Sequence, residues 1–163
     1  MNTSFKLPVA VILAIASLSA FAGGDPATNG AITTPANRVV GMWLTDIEFG
    51  PCGGPIVVRG SATVVYSPGG TVVENPRAPA GNATQRSMGL GVWSYSPLTG
   101  HYSQRLQFDW FVNGAYNGYQ TAERQALMSA DGEQLAGPIR SVRYAANGSV
   151  MFEVCGSATS TRL

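Results

Sequence analysis

Residues 41–52 read GMWLTDIEFGPC and pose the main question about the fold. The run alternates in character, so that Trp43, Ile47 and Phe49 share one face of an extended chain. It ends at Cys52, one of only two cysteines in the sequence. The architecture therefore depends on what Trp43 packs against and on where the partner of Cys52 lies.

Short β-branched or aromatic runs alternate with Gly, Pro, Asn and Asp from Val39 onward, which is typical of strands joined by tight turns. Asn-Gly at 113–114 and 147–148 and Asp-Gly at 131–132 supply the positive φ angles that hairpin turns require. Such short connections join antiparallel neighbours. We predict eight strands, at residues 39–49, 56–66, 71–75, 86–95, 101–112, 115–129, 134–144 and 149–162.

Two architectures fit eight antiparallel strands joined in sequence, an up-and-down barrel and a two-sheet sandwich. Closure into a barrel removes both exposed sheet edges, which an open meander would have to protect in another way. The segment 121–128, TAERQALM, also has helical propensity, so a helix in place of that strand stays open at this point.

The N-terminus has the pattern of an export signal. Lys6 precedes an uncharged run that leads into Ala20-Phe21-Ala22, and this run is shorter than the roughly 20 residues that a membrane helix needs. No later run is long enough either, so we expect no membrane span. We predict a secreted or periplasmic protein with a signal peptide at 1–22, a flexible leader at 23–38 and one β-barrel domain at 39–163.

The cysteine and charge content further narrows the class of protein and its possible partners. In an exported protein, an even number of cysteines predicts a disulfide, here Cys52–Cys155. Without the predicted signal peptide, nine arginines balance nine acidic residues. There is then no basic excess to neutralise phosphates, so we expect no nucleic-acid partner.

The motif Gly41-Met42-Trp43 near the start of the first strand, with Arg162 near the end of the last, resembles the pattern of the lipocalins and the wider calycin superfamily. The resemblance implies that Trp43 closes one end of a barrel and that Arg162 packs across its ring. It favours the barrel over the sandwich. The alternative is an exposed arginine beside an ordinary core tryptophan.

Residue spacing gives a test that does not depend on the resemblance, because opposed residues in antiparallel neighbours have a constant index sum. Trp43 opposite Arg162 gives 205, and Cys52 opposite Cys155 gives 207. Pro51 and the reach of an arginine can absorb that difference. We therefore predict an all-β, eight-stranded antiparallel up-and-down barrel, lipocalin- or calycin-like, whose first and last strands adjoin and are closed by one disulfide.

Aromatic residues alternate with polar ones along 101–112, which indicates an aromatic interior face. An eight-stranded barrel is either packed solid or holds one small ligand, and these rings suit both cases. The candidate ligand-binding residues are Trp93, Tyr102, Gln104, Phe108, Trp110 and Phe152.

The sequence offers little for catalysis, and we assign no catalytic residue, metal site or cofactor. His101 is the only histidine, and it stands at a turn on the face opposite the aromatic residues. Zinc sites normally use several histidine or cysteine ligands. Glu123 and Arg124 are adjacent on one strand, so one of them points inward and needs a partner there.

The leading hypothesis is a monomeric, exported barrel that carries a small apolar or aromatic molecule. One alternative is a solid-core barrel with a structural or protein-interaction role and no ligand. The other is an isomerase- or cyclase-type enzyme on a calycin-like barrel, which is less favoured because the sequence shows no catalytic arrangement of residues. Fold alone establishes none of the three.

Overall fold

The computed structural model of the protein describes residues 35–77 and 84–163. A short 3-10 helix, Pro35–Val39, precedes the first strand. The strands are β1 (Gly41–Gly50), β2 (Val58–Tyr66), β3 (Thr71–Pro76), β4 (Thr84–Arg86), β5 (Gly89–Tyr95), β6 (Tyr102–Val112), β7 (Ala115–Met128), β8 (Gln134–Tyr144) and β9 (Val150–Arg162).

The strands close into an eight-stranded antiparallel barrel. β4 and β5 lie along the same edge of β6, so they form one barrel strand that is interrupted at Ser87 and Met88. At the break, the Ser87 hydroxyl accepts a hydrogen bond from the Asp109 amide at 2.9 Å. The ring closes through β1–β9 and β6–β7. The predicted all-β barrel is confirmed, and residues 121–128 lie within strand β7.

Part of the N-terminal interpretation falls outside this structure. The predicted signal peptide, 1–22, and the leader up to residue 34 lie outside the described residues. The last residues of the predicted leader, 35–38, belong to the 3-10 helix. Within 35–77 and 84–163, no helix has the length and apolar character needed to cross a membrane.

The seam between β1 and β9 has the predicted register. Trp43 faces Arg162 and Gly50 faces Cys155, so every pair along the seam has the index sum 205. The chain turns at Pro51, just past the end of β1, and the Cys52–Cys155 disulfide forms across the seam with a Cα–Cα distance of 4.7 Å. The predicted disulfide is therefore confirmed.

One end of the barrel, which we call the closed end, is sealed by Trp43, Arg162 and the 3-10 helix. Trp43 is fully buried, and its indole nitrogen donates to the Val39 carbonyl at 2.8 Å. The Arg162 guanidinium lies 4.3 Å from the centre of the indole and donates to the carbonyls of Arg38, Val40 and Gly132. A cation over an indole ring is attracted by the ring quadrupole, and the carbonyls satisfy its donors.

Three glycines allow the strands to coil tightly enough to close the ring. A Cβ added to Gly91, Gly137 or Gly156 would lie 1.7–1.9 Å from a carbonyl oxygen of the neighbouring strand. Any side chain at these positions would therefore collide with backbone. Glycine kinks of this kind introduce the curvature that a small barrel needs.

The disulfide should contribute strongly to stability, because its two cysteines are 103 residues apart in sequence. Replacing both cysteines by serine should lower the free energy of unfolding by about 3–5 kcal/mol, as expected for a bridge that closes a long loop. Urea denaturation of the wild type and the double variant measures the difference. Reductant should shift the wild type towards the variant and leave the variant unchanged; equal stability under oxidising conditions would contradict the prediction.

Arg162→Met should also destabilise the barrel, because it removes the cation from Trp43 and leaves the carbonyls of Val40 and Gly132 without their donor. We expect a loss of about 2–4 kcal/mol in unfolding free energy. The matched control is Arg59→Met, which removes an exposed ion pair with Glu48 and should change stability little. Similar effects of the two substitutions would show that Arg162 has no special role.

Candidate functional site

The half of the barrel opposite the closed end contains a cavity of about 340 Å³. Its walls are mainly apolar and aromatic, with side chains from Ile47, Phe49, Val58, Phe108, Trp110 and Phe152. Val58 and Phe152, at the outer ends of β2 and β9, are 56% and 48% exposed, so the cavity opens to solvent at this end. We call this the open end. The volume lies within the range of small-molecule sites, near its lower limit.

An ion pair lies in the wall of this cavity. A terminal nitrogen of Arg86 donates to Glu74 Oε1 at 2.6 Å, and both side chains are largely buried. The Arg86 guanidinium also lies 4.2 Å from the centre of the Phe108 ring. Its other terminal nitrogen, Nη1, has no acceptor among the described residues. The wall thus combines a neutralised charge with one unfilled hydrogen-bond donor.

Gln120 fixes the orientation of a cavity aromatic ring. Its side-chain oxygen accepts a hydrogen bond from the Trp110 indole at 2.8 Å, and its nitrogen donates to the Ser141 hydroxyl at 2.7 Å. Ser141 in turn donates to the Thr121 carbonyl at 2.6 Å. Because each partner is fixed by the next, the Trp110 ring has a defined orientation in the cavity wall.

Below the cavity, the interior contains a polar layer around Arg124. Arg124 is 4% exposed and donates to the Ser160 hydroxyl and to the carbonyls of Leu135 and Ala158, at 2.8–2.9 Å. Its Nε has no acceptor among the described residues. Burial lowers the pKa of the guanidinium from its ordinary value, while Tyr66 acts in the opposite direction. Arg124 is thus a buried cation that is solvated by dipoles.

The structure separates the six predicted binding residues into two groups. Phe108, Trp110 and Phe152 line the cavity together. The other three lie towards the closed end. Trp93 packs against Tyr66 and Tyr102, with ring centroids 6.2 and 6.5 Å apart, Tyr102 donates to the Pro35 carbonyl, and Gln104 accepts a hydrogen bond from Tyr66.

Several cavity residues were not predicted from the sequence. Ile47 and Phe49 share the face of Trp43, so alternation along β1 could have identified them. The inward orientation of Glu74 could not be predicted, because two adjacent valines, Val72 and Val73, precede it and leave the inward face of β3 ambiguous. Arg86 stands beside the break in the fourth barrel strand, where simple alternation gives no reliable face.

A second depression, of about 510 Å³, crosses β5 to β9, and two of the predicted binding residues, Trp93 and Gln104, contribute to its lining. Charged residues border it, including Arg105 and Glu123, which approach to 3.5 Å, and Arg140, which pairs with Glu153 at 2.6 Å. These ion pairs are well exposed to solvent, which weakens their attraction for a charged ligand. The aromatic cavity inside the barrel is therefore the better candidate site. His101 lies at the closed end, just before β6, far from that cavity.

Comparison of this chain with known proteins found no matching family model, no matching curated protein and no matching solved structure.

Glycines at different interior positions should tolerate a methyl group very differently. Gly60 lines the cavity, and a Cβ added there meets no atom within 4 Å, whereas one at Gly156 would lie 1.7 Å from the Glu48 carbonyl oxygen. Gly60→Ala should therefore be neutral or stabilise the barrel by up to about 1 kcal/mol. Gly156→Ala should cost more than about 2 kcal/mol. Thermal unfolding of both variants tests this, and equal effects would contradict the assignment of Gly60 to open space.

Proposed function

We propose that the protein is an exported binding protein that carries a small apolar or aromatic molecule in the cavity at its open end. The observation that carries this proposal is the cavity itself, about 340 Å³ with Phe108, Trp110 and Phe152 on its walls. A solid-core barrel would have filled this space with side chains, because protein interiors pack at close to crystal density. When an apolar guest displaces water from aromatic walls, apolar surface on both sides leaves water, and the free energy falls.

The arrangement of the closed end supports a lipocalin- or calycin-like interpretation of the barrel. Trp43 and Arg162 stack there, as the resemblance implies, while the opposite end opens to solvent. A barrel closed at one end and open at the other has the shape of a cup, which suits a carrier. The disulfide supports export, because such bonds persist mainly in oxidising compartments outside the cytosol.

The rim of the cavity suits the passage of apolar molecules. Ile56, Val57, Val58, Val150 and Met151 are all exposed large apolar residues at the outer ends of strands or in the loops beside them. Exposed apolar groups clustered around a concave site are a recognised feature of ligand-binding surfaces. A guest that leaves water at this rim can move directly onto the aromatic walls within.

Titration with N-phenylnaphthylamine, a neutral apolar dye, tests the proposal. Dye fluorescence should rise and saturate at one dye per chain, because the cavity volume admits a single small guest. The tryptophan emission of the protein should change in parallel, since the Trp110 ring lies on the cavity wall. A flat response to this dye and to a panel of other small apolar molecules would contradict the proposed function.

A cavity-filling variant locates the binding. Gly60→Phe places a ring in the open space and should abolish dye binding while the protein stays folded. The matched control is Arg59→Phe, which adds the same ring to the outward neighbour on β2 and should leave binding unchanged. Loss of binding in both variants, or in neither, would show that the dye binds elsewhere.

A further inference from the structure

We infer that the ligand of the cavity is an amphipathic organic anion, with an apolar or aromatic body and one acidic group. The inference rests on the proposed function and names the chemical class of the guest. It is based on the charges that the barrel encloses. In the described part of the chain, the buried charged residues are Glu74, Arg124 and Arg143, and Arg86 lies beside Glu74 in the cavity wall.

These charges do not balance. Glu74 is the one carboxylate of the set, and it is paired with Arg86 at 2.6 Å. Arg124 and Arg143 remain without an acidic partner among the described residues. Both guanidinium groups instead donate hydrogen bonds to uncharged oxygens. Arg124 donates to a hydroxyl and two carbonyls, and Arg143 donates to carbonyls of the neighbouring strand β7. Arg124, deep in the barrel, and Arg143, near its open end, therefore have no carboxylate to balance their charges.

The excess charge lies close to the cavity. The backbone of Arg124 is one layer below it, because Ala122, two residues away on β7, and Ile139, its cross-strand partner, both line the cavity. The guanidinium extends from there towards the closed end, where it contacts Leu135 and Ser160. Arg143 lies 5.4 Å from the centre of the Trp110 ring, which forms part of the wall. Charges inside a protein are poorly screened compared with charges at its surface. An anion in the cavity is attracted by both cations.

Unfilled donors are present in the cavity wall, at Arg86, and in the layer below it, at Arg124. Arg86 Nη1 and Arg124 Nε are buried and have no hydrogen-bond acceptor in the described structure. A buried polar group without a partner costs free energy, so an added acceptor is favoured at this position. An acidic group at the cavity floor, beside Arg86 and above Arg124, supplies both negative charge and acceptor oxygens. The apolar body of the guest then rests against Phe108, Trp110 and Phe152.

A pair of dyes that differ by one acidic group tests the inference. Anilinonaphthalene sulfonate is a permanent anion, and N-phenylnaphthylamine has the same ring system without the sulfonate. The anion should bind about tenfold more tightly than the neutral dye, the effect of one contact to a charged group. Gly60→Phe should abolish the binding of both dyes, which confirms that both occupy the cavity.

Two variants should shift the preference in opposite directions. Arg124→Met removes an enclosed positive charge and should reduce the anion-to-neutral affinity ratio by roughly tenfold. Glu74→Gln retains the contact to Arg86 but removes the negative charge, so it should increase that ratio. It also keeps the test available if Arg124→Met does not fold. Arg105→Met, which removes a positive charge from the outer face of β6, is the control and should leave the ratio unchanged.

The outcomes separate this inference from the proposed function. If neither dye binds the wild type, the proposed function fails and the inference fails with it. If both dyes bind with equal affinity, or the neutral dye binds more tightly, the carrier role stands and the anionic ligand class is overturned. A preference for the anion that does not respond to Glu74→Gln also overturns it, because the enclosed charge would then not be its cause.

Discussion

The stacking of the Arg162 guanidinium on the Trp43 indole is the contact on which the rest of the barrel depends. It joins the beginning of the first strand to the end of the last, and its donors also hold the 3-10 helix and the β7–β8 turn in place through backbone carbonyls. Sealing one end with a single aromatic–cation pair removes the need to fill the whole interior. The opposite half can therefore remain open and hold a cavity.

The sequence predicted the seam well because the seam depends on quantities that a sequence contains directly. Register is an index sum, and the turns at 113–114, 131–132 and 147–148 fix where the strands reverse. Alternation also assigned Arg124 and Glu123 to opposite faces, and the structure shows that Glu123 is the outer residue, beside Arg105. Alternation could not provide depth, by which we mean the position of an inward side chain along the barrel axis. Trp93 and Tyr102 face inward as Phe108 does, but they lie towards the closed end.

Depth inside a barrel depends on the stagger between neighbouring strands, which accumulates around the ring. Here the stagger also depends on local irregularities, such as the break at Ser87 and the bulge between Asp109 and Phe111. Neither has a strong local signal in the sequence. The same irregular region places Arg86 against Glu74, so the ion pair of the cavity wall also escaped prediction. A polar interior of this kind departs from simple hydrophobic patterning, and such departures are expected at functional sites.

The bond between Cys52 and Cys155 has a consequence for the order of events when the protein is made. One cysteine follows the first strand and the other lies within the last, so the bridge closes a span of 103 positions. The ribosome must have produced every strand from β1 to β8 and part of β9 before the second thiol exists. The disulfide can therefore form only after β9 has been made. A truncated product that lacks β9 would carry a single reactive thiol, and the edges of β1 and β8 would be unpaired.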